Sequence, residues 1–362
     1  MRPRAASLAI AVTAAALAAG CGKRPSMAAG PSPEVTGLAA VPSTAEVIVG
    51  LDAGRLAESP IVTRAIGMLL AREAELAGRW QALRESCKLE VKQVNRAMIA
   101  LGPAPPGGRF GTGPMLLIAT GKIVEADLVK CVRDIVGKGG GSLVVQPGQT
   151  APPPQAGASG QPGQPVQSRT LYQVKDGNRS MFIAFGRPDT VILGNNEAYV
   201  QEAVGTGQKA LANPELAQWI RLVDQGAPVW IIGRAADRLK AGLIRASNNT
   251  LKSGAKAFAG SFDLTTGLAG ELAVLMESAE DAKRLASLLN ANLVGMSWAA
   301  QAASLAKVVQ KISIQPQGDR VRVRVPLTMD DVNRVLNALD GEQAPAQDSP
   351  PAAGSAPPPP AP

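Results

Sequence analysis

The 362-residue sequence predicts an α+β fold, with antiparallel sheets and packed helices in two similar lobes that arose by internal duplication. Two observations carry that expectation. Strand-like segments follow one another without an intervening helix, which favours antiparallel pairing over a doubly wound parallel sheet. The order of strand and helix patterns also recurs after about 182 residues.

In the first half, Glu46-Val-Ile-Val-Gly-Leu-Asp52 alternates as a strand and leads through Arg55 and Leu56 into a helix. In the second, Pro228-Val-Trp-Ile-Ile-Gly233 is again a strand, and Arg238 and Leu239 open the helix after it. Ser59 before Pro60 is a helix N-cap with proline at the first position. The stripe Val62, Ile66, Leu69, Leu76, Trp80 and Leu83 then repeats every three or four residues, predicting a core-facing helix that reaches Cys87. A strand pair at 97–102 and 115–121 precedes a helix at 124–136. Its counterpart is the pair 257–264 and 268–276, before a helix from Ser278. Strands at 171–174, 181–185 and 191–194 lead into a short helix at Glu197, as 311–315 and 320–326 lead into one at 330–339. The apolar stretch Ala282 to Val309 reads as one long or two broken helices packed across the sheet; a roof of this kind also opens to admit an acyl chain.

Low-complexity stretches divide the chain. A tether spans 21–36, a first lobe 37–224, a second lobe 225–341 and a proline-rich tail 342–362. Residues 147–167 inside the first lobe are almost wholly Pro, Gly, Gln, Ala and Ser, a composition that cannot offset its own ordering entropy, so that insert and the tail are expected to be disordered.

Composition narrows the chemistry. The chain is 46% hydrophobic and 18% charged but only 3% aromatic, so aliphatic residues must build the core. Its net charge of +8 is spread along the chain without the basic clusters and stacking aromatics that nucleic acid requires, so nucleic acid is not an expected partner. There is no histidine, which excludes Ser-His-Asp and Cys-His catalysis and the usual zinc sites. The fragments Ser304-Leu-Ala-Lys307, Ser247-Asn-Asn249 and Lys252-Ser-Gly254 each match one element of the penicillin-binding pattern, but in the wrong order. The acidic pairs Glu73 with Glu75, Glu280 with Asp281, and Asp330 with Asp331 fit helix caps better than glycoside cleavage. No catalytic residue, metal or cofactor is therefore expected.

Two further features remain. Cys87 and Cys131 both fall on apolar helical stripes, and outside the cytoplasm they form either a disulfide or two buried thiols. Arg320, Arg322 and Arg324 alternate with Val321, Val323 and Val325, which puts three guanidinium groups on one strand face as a contact for an anionic headgroup or polysaccharide, or simply as a solvated face.

The N-terminus carries the most specific signal. Arg2 and Arg4 precede an apolar run from Ala5 to Ala19, too short to span a bilayer, which ends in Leu17-Ala-Ala-Gly-Cys21. This segment resembles the lipobox of bacterial lipoproteins, with its leucine one step further from the cysteine than is usual. The resemblance implies cleavage of residues 1–20 and acylation of Cys21, leaving 35 basic against 29 acidic side chains. Gly22 rather than aspartate after the cysteine points to the periplasmic face of the outer membrane. The body is loosely similar to envelope lipoproteins of Gram-negative bacteria, a resemblance that implies no activity. The expected function is a non-enzymatic structural or binding role at the membrane surface, with an envelope protein or lipid as partner. Carriage of a hydrophobic ligand between the lobes is the alternative, and a histidine-free Ser/Lys hydrolase a remote one.

Overall fold

The computed structural model describes residues 35–87, 93–108, 111–146, 169–186, 189–302 and 305–341. Cys21, the 147–167 insert and the 342–362 tail lie outside the described residues. The first half contains β1 (Val47–Asp52), α1 (Ala53–Ala57), α2 (Pro60–Arg72), α3 (Ala74–Cys87), β2 (Val94–Leu101), β3 (Met115–Gly121), α4 (Glu125–Lys138), β4 (Ser142–Gln146), β5 (Leu171–Asp176), β6 (Arg179–Phe185) and β7 (Thr190–Gly194). Helices α5 (Glu197–Val204) and α6 (Pro214–Ile220) connect it to β8 (Val229–Arg234), α7 (Asp237–Ala246), β9 (Ala255–Asp263), β10 (Gly267–Met276), α8 (Ala279–Ala302), α9 (Ala306–Val309), β11 (Ser313–Gln317), β12 (Arg320–Thr328) and α10 (Met329–Gly341). None of the described helices is long and apolar enough to cross a membrane.

The strands form one 12-stranded sheet in the order β11-β12-β10-β9-β8-β1-β2-β3-β7-β6-β5-β4. Every pairing in it is antiparallel. The halves do not stand apart as two lobes. They meet edge to edge at β1 and β8, where Val47 pairs with Gly233 and Leu51 with Val229. Arg234 N–H donates to Glu46 O and Asp52 N–H to Pro228 O, both at 2.8 Å, closing the ends of this seam. Each strand would otherwise expose an unpaired edge, so the seam satisfies both.

Period-2 alternation sends the two faces of the sheet to different coverings. On one face Ile48, Leu116, Ile192, Ile232 and Ala259 are buried beneath α5 and α6, together with Tyr199, Leu216 and Trp219. A fully buried Ile or Leu contributes about 1.5–3 kcal/mol, so this face supplies most of the seam's stability. The caps of its two helices are local. Asn196 Oδ1 accepts from Tyr199 N–H at 3.0 Å, and Asn213 Oδ1 accepts from Glu215 N–H at 3.0 Å with Pro214 following at the first helical position. On the opposite face α4 covers the first half through Val129, Ile183 and Val191, while α7 and α8 cover the second through Leu251, Leu285 and Val321. Helices α9 and α10 cover Leu327 on that same face.

The predicted stripe from Val62 to Cys87 is corrected in two ways. The chain breaks at Glu73, where φ is −115° and ψ is 82°, so there are two helices. Helix α2 also buries no residue, with Ile66 and Leu69 exposed at 41% and 50%. Periodicity reports that a helix is amphipathic, not that a partner covers its apolar side.

The N-terminus of α10 is held by a buried carboxylate. Asp331 takes a hydrogen bond from Lys311 Nζ, and Thr328 N–H and Oγ1–H donate to it at 2.9 and 2.8 Å. The lysine first and the threonine second hold its carboxyl down to about 2. An unfolded aspartate titrates at about 3.9, so this group's contribution is full above that value and fades as the pH falls toward about 2. Asp331→Asn is expected to unfold with a shallower loss of stability across that acid window than the parent, as read by denaturant melts at stepped pH.

Candidate functional site: an apolar floor at the seam

The residues that alternate with the buried row at the seam lie on the α4/α8 face. Leu117, Ile99, Val49, Ile231, Gly260 and Leu272 stand in register across β3, β2, β1, β8, β9 and β10. The five side chains of that row are half-buried, and among the described residues none belongs to the four packed cores of the sheet. Leu51, Val229 and Phe262 form a second half-buried row beside it. At strand spacings of about 4.8 Å, six strands give an apolar strip about 24 Å long. Two phenylalanines smooth it. A Cβ at Gly233 would lie 2.6 Å from Phe258 Cζ, and one at Gly270 would lie 2.3 Å from Phe262 Cδ1, so both rings lie against bare backbone.

Helices α2 and α3 link the two halves of the sheet. Ser59 caps α2 and also donates from Oγ to Leu264 O, while Arg55 binds Asp263 Oδ2 and Gly226 O, each at 3.1 Å. Ile61 packs against the cluster of Val308, Leu327 and Val332, and Arg64 donates to Asn337 Oδ1 at 3.2 Å, so α2 starts against α10. Helix α3 ends against α4, where Cys87 and Cys131 are joined by a disulfide with Cα atoms 5.2 Å apart. The strap is therefore fixed to the second half at one end and to the first half at the other. The floor residues themselves are only half-buried.

The disulfide closes a sequence separation of 44, for which chain entropy gives a stabilisation of about 4 kcal/mol. Cys131→Ser, or reduction, is expected to lower the unfolding free energy of the full chain by about 2–4 kcal/mol in denaturant melts. An unchanged midpoint in both would show that no such bond forms.

Several other residues singled out by motif or charge have structural partners. Arg322 and Arg324 pair with Glu271 at 2.7 and 2.8 Å, and Arg320 with Asp319 at 3.6 Å. The register places this stripe on the face opposite the floor. Ser247 donates to Ile244 O at 2.7 Å and accepts from Leu251 N–H at 3.1 Å, and Asn248 and Asn249 take positive φ angles of 51° and 60° to end α7. Asp281 accepts from Ser253 Oγ at 2.6 Å and from Lys252 N–H at 3.1 Å, and Glu280 pairs with Arg284. Ser304 lies outside the described residues. Among the described residues no cluster of three or more His, Cys, Asp or Glu side chains is placed to hold a metal ion.

What sequence reasoning misses is the floor itself. Its signal is the alternate register of recognisable strands: Val49 between Ile48 and Gly50, and Ile231 between Trp230 and Ile232.

No family model and no curated protein matches the chain. Two solved structures, crystal forms I and IV of TP0453, align with TM-scores of 0.39 and 0.38 at 10% identity. The alignments cover 84% and 83% of this chain and 96% of TP0453 in each case. At that level nothing is carried from TP0453 to this chain.

Proposed function

We propose that this protein is a non-enzymatic lipoprotein of the bacterial envelope, anchored through acylated Cys21, whose body binds the apolar chain of a lipid on the floor at the seam. The anchor rests on the Leu17-Ala-Ala-Gly-Cys21 segment behind a short apolar run, and with it comes a place at the periplasmic face of the outer membrane. Two or three acyl chains hold a soluble body firmly at a bilayer, at about 0.8 kcal/mol per buried methylene. The binding role rests on one observation, the half-buried row from Leu117 to Leu272, to which both halves contribute three strands. A macromolecular partner needs an open surface. A narrow half-buried row that runs across both halves suits a thin flexible chain instead.

An internal duplication would account for the same site. Counting outward from the seam, β2, β3, β7 and β6 on one side correspond to β9, β10, β12 and β11 on the other, with α4 matching α8. A twofold relation of this kind brings two copies of one apolar strip together where the halves join.

Purely structural scaffolding is the weaker reading, because it leaves the floor unused. A role for Arg320, Arg322 and Arg324 toward an anionic headgroup requires them to give up their pairing with Glu271 and Asp319. The test is a titration of the full chain with a fluorescent polyene fatty acid. Saturable one-to-one uptake supports the reading, and uptake no greater than by a protein without such a floor overturns it.

A further inference from the structure

The two ends of the sheet are finished differently. Edge strand β11 contains Pro316, which has no N–H to offer, and Asn290 Nδ2 on α8 donates to Ile314 O at 3.1 Å. Both devices block strand addition. Edge strand β4, Ser142-Leu-Val-Val-Gln146, has neither proline nor charge, and among the described residues no side chain hydrogen-bonds to its backbone. Val144 and Val145 are exposed at 43% and 51% on opposite faces.

The strand is also complementary to itself. Turned about a twofold axis through Val144, it sets Ser142 opposite Gln146 of a second copy, Leu143 opposite Val145, and Val144 opposite Val144. Polar meets polar at the rim and apolar meets apolar within. Residues opposite each other in an antiparallel pair share a face, so the second copy's Val145 would extend the core in which Leu143 already packs beside α4.

From this we infer that β4 is a homodimerisation edge, at which two copies of the chain pair antiparallel and join their sheets into one. The contact is isologous, so it closes at two subunits and leaves the guarded β11 edges outermost. The chain following β4 begins Pro-Gly-Gln-Thr-Ala-Pro-Pro-Pro at residue 147, and a proline has no N–H to donate to a strand partner. A pairing of five residues is smaller than a standard interface, so the dimer is expected to be weak and concentration-dependent.

The test uses the full chain in a Cys21→Ser background, so that no other free thiol competes. Val144→Cys is expected to form an intermolecular disulfide under mild oxidation, because the axis sets the two introduced thiols opposite each other within disulfide reach. Val145→Cys faces Leu143 rather than itself and is expected to cross-link at least tenfold less. Val144→Lys should shift sedimentation at high concentration toward monomer without changing the circular dichroism spectrum. Equal cross-linking of the two cysteine variants would overturn the register. A parent chain that sediments as a monomer at every concentration would overturn the edge, whether its own following segment or nothing occupies it.

Discussion

Gly50→Ala is expected to destabilise the protein by about 2 kcal/mol or more, and Gly50→Leu to prevent folding. Gly50 sits on β1 directly opposite Trp230 of β8, and the indole lies across its bare backbone. A Cβ there would stand 2.0 Å from Cε2, 2.1 Å from Nε1 and 2.5 Å from Cζ2 of that ring. Trp230 is only 3% exposed and packs in the largest core with Ile232 and Trp219, so a shift of the ring disturbs that packing. Strain at this point acts on the pairing that joins the halves. Trp230→Ala alone should cost about 3–5 kcal/mol by leaving a cavity. The double variant should then cost clearly less than the two changes added, because the new methyl occupies space the ring has left. Denaturant unfolding of the four proteins checks this. A Gly50→Ala chain as stable as its parent would show that the indole does not occupy the glycine.

The second large effect concerns the ligand. Ile231→Glu is expected to weaken uptake of a fluorescent fatty acid at least tenfold while leaving the fold intact. Ile231 is at the centre of the floor row, between Val49 and Gly260. It is half-buried, so the carboxylate reaches water in the free protein and the cost to folding is small. A bound acyl chain would cover that carboxylate without pairing it, and an unpaired buried charge costs several kcal/mol, where about 1.4 kcal/mol already corresponds to tenfold. Arg322→Gln, on the far face, serves as the control and should bind as the parent does. Equal loss in both variants would move the site away from the seam.

Much of the fold is legible from pattern. Alternation in the segments around Val49, Ile231, Ile192 and Val323 reads directly as strands, and because those strands follow one another without helices, their antiparallel pairing can be argued as well. Order alone does not say that the halves share one sheet. That depends on β1 and β8 being edge strands of matching length, which is a tertiary fact. Strand β4 escapes detection because its five residues abut a proline-rich stretch that dominates the local composition. Helix α6 escapes it because the helix is short, although Asn213-Pro214 is a readable cap. The stripe on α2 is amphipathic as its spacing predicts, yet it does not face the core. The floor is invisible for a related reason: an apolar residue on a strand looks the same in sequence whether a helix covers its face or leaves it half open. The disulfide partners can be named from their helical registers, but only the bridging of α3 to α4 gives them a role beside the floor.

The most direct test is native mass spectrometry of the full chain purified from cells that produce it. One non-covalent lipid is expected on the parent protein, in addition to any mass covalently attached at Cys21, and is expected to be lost from Ile231→Glu. A parent chain that carries no such lipid and takes up no fatty acid when offered one, or an Ile231→Glu chain that retains it in full, would contradict the account.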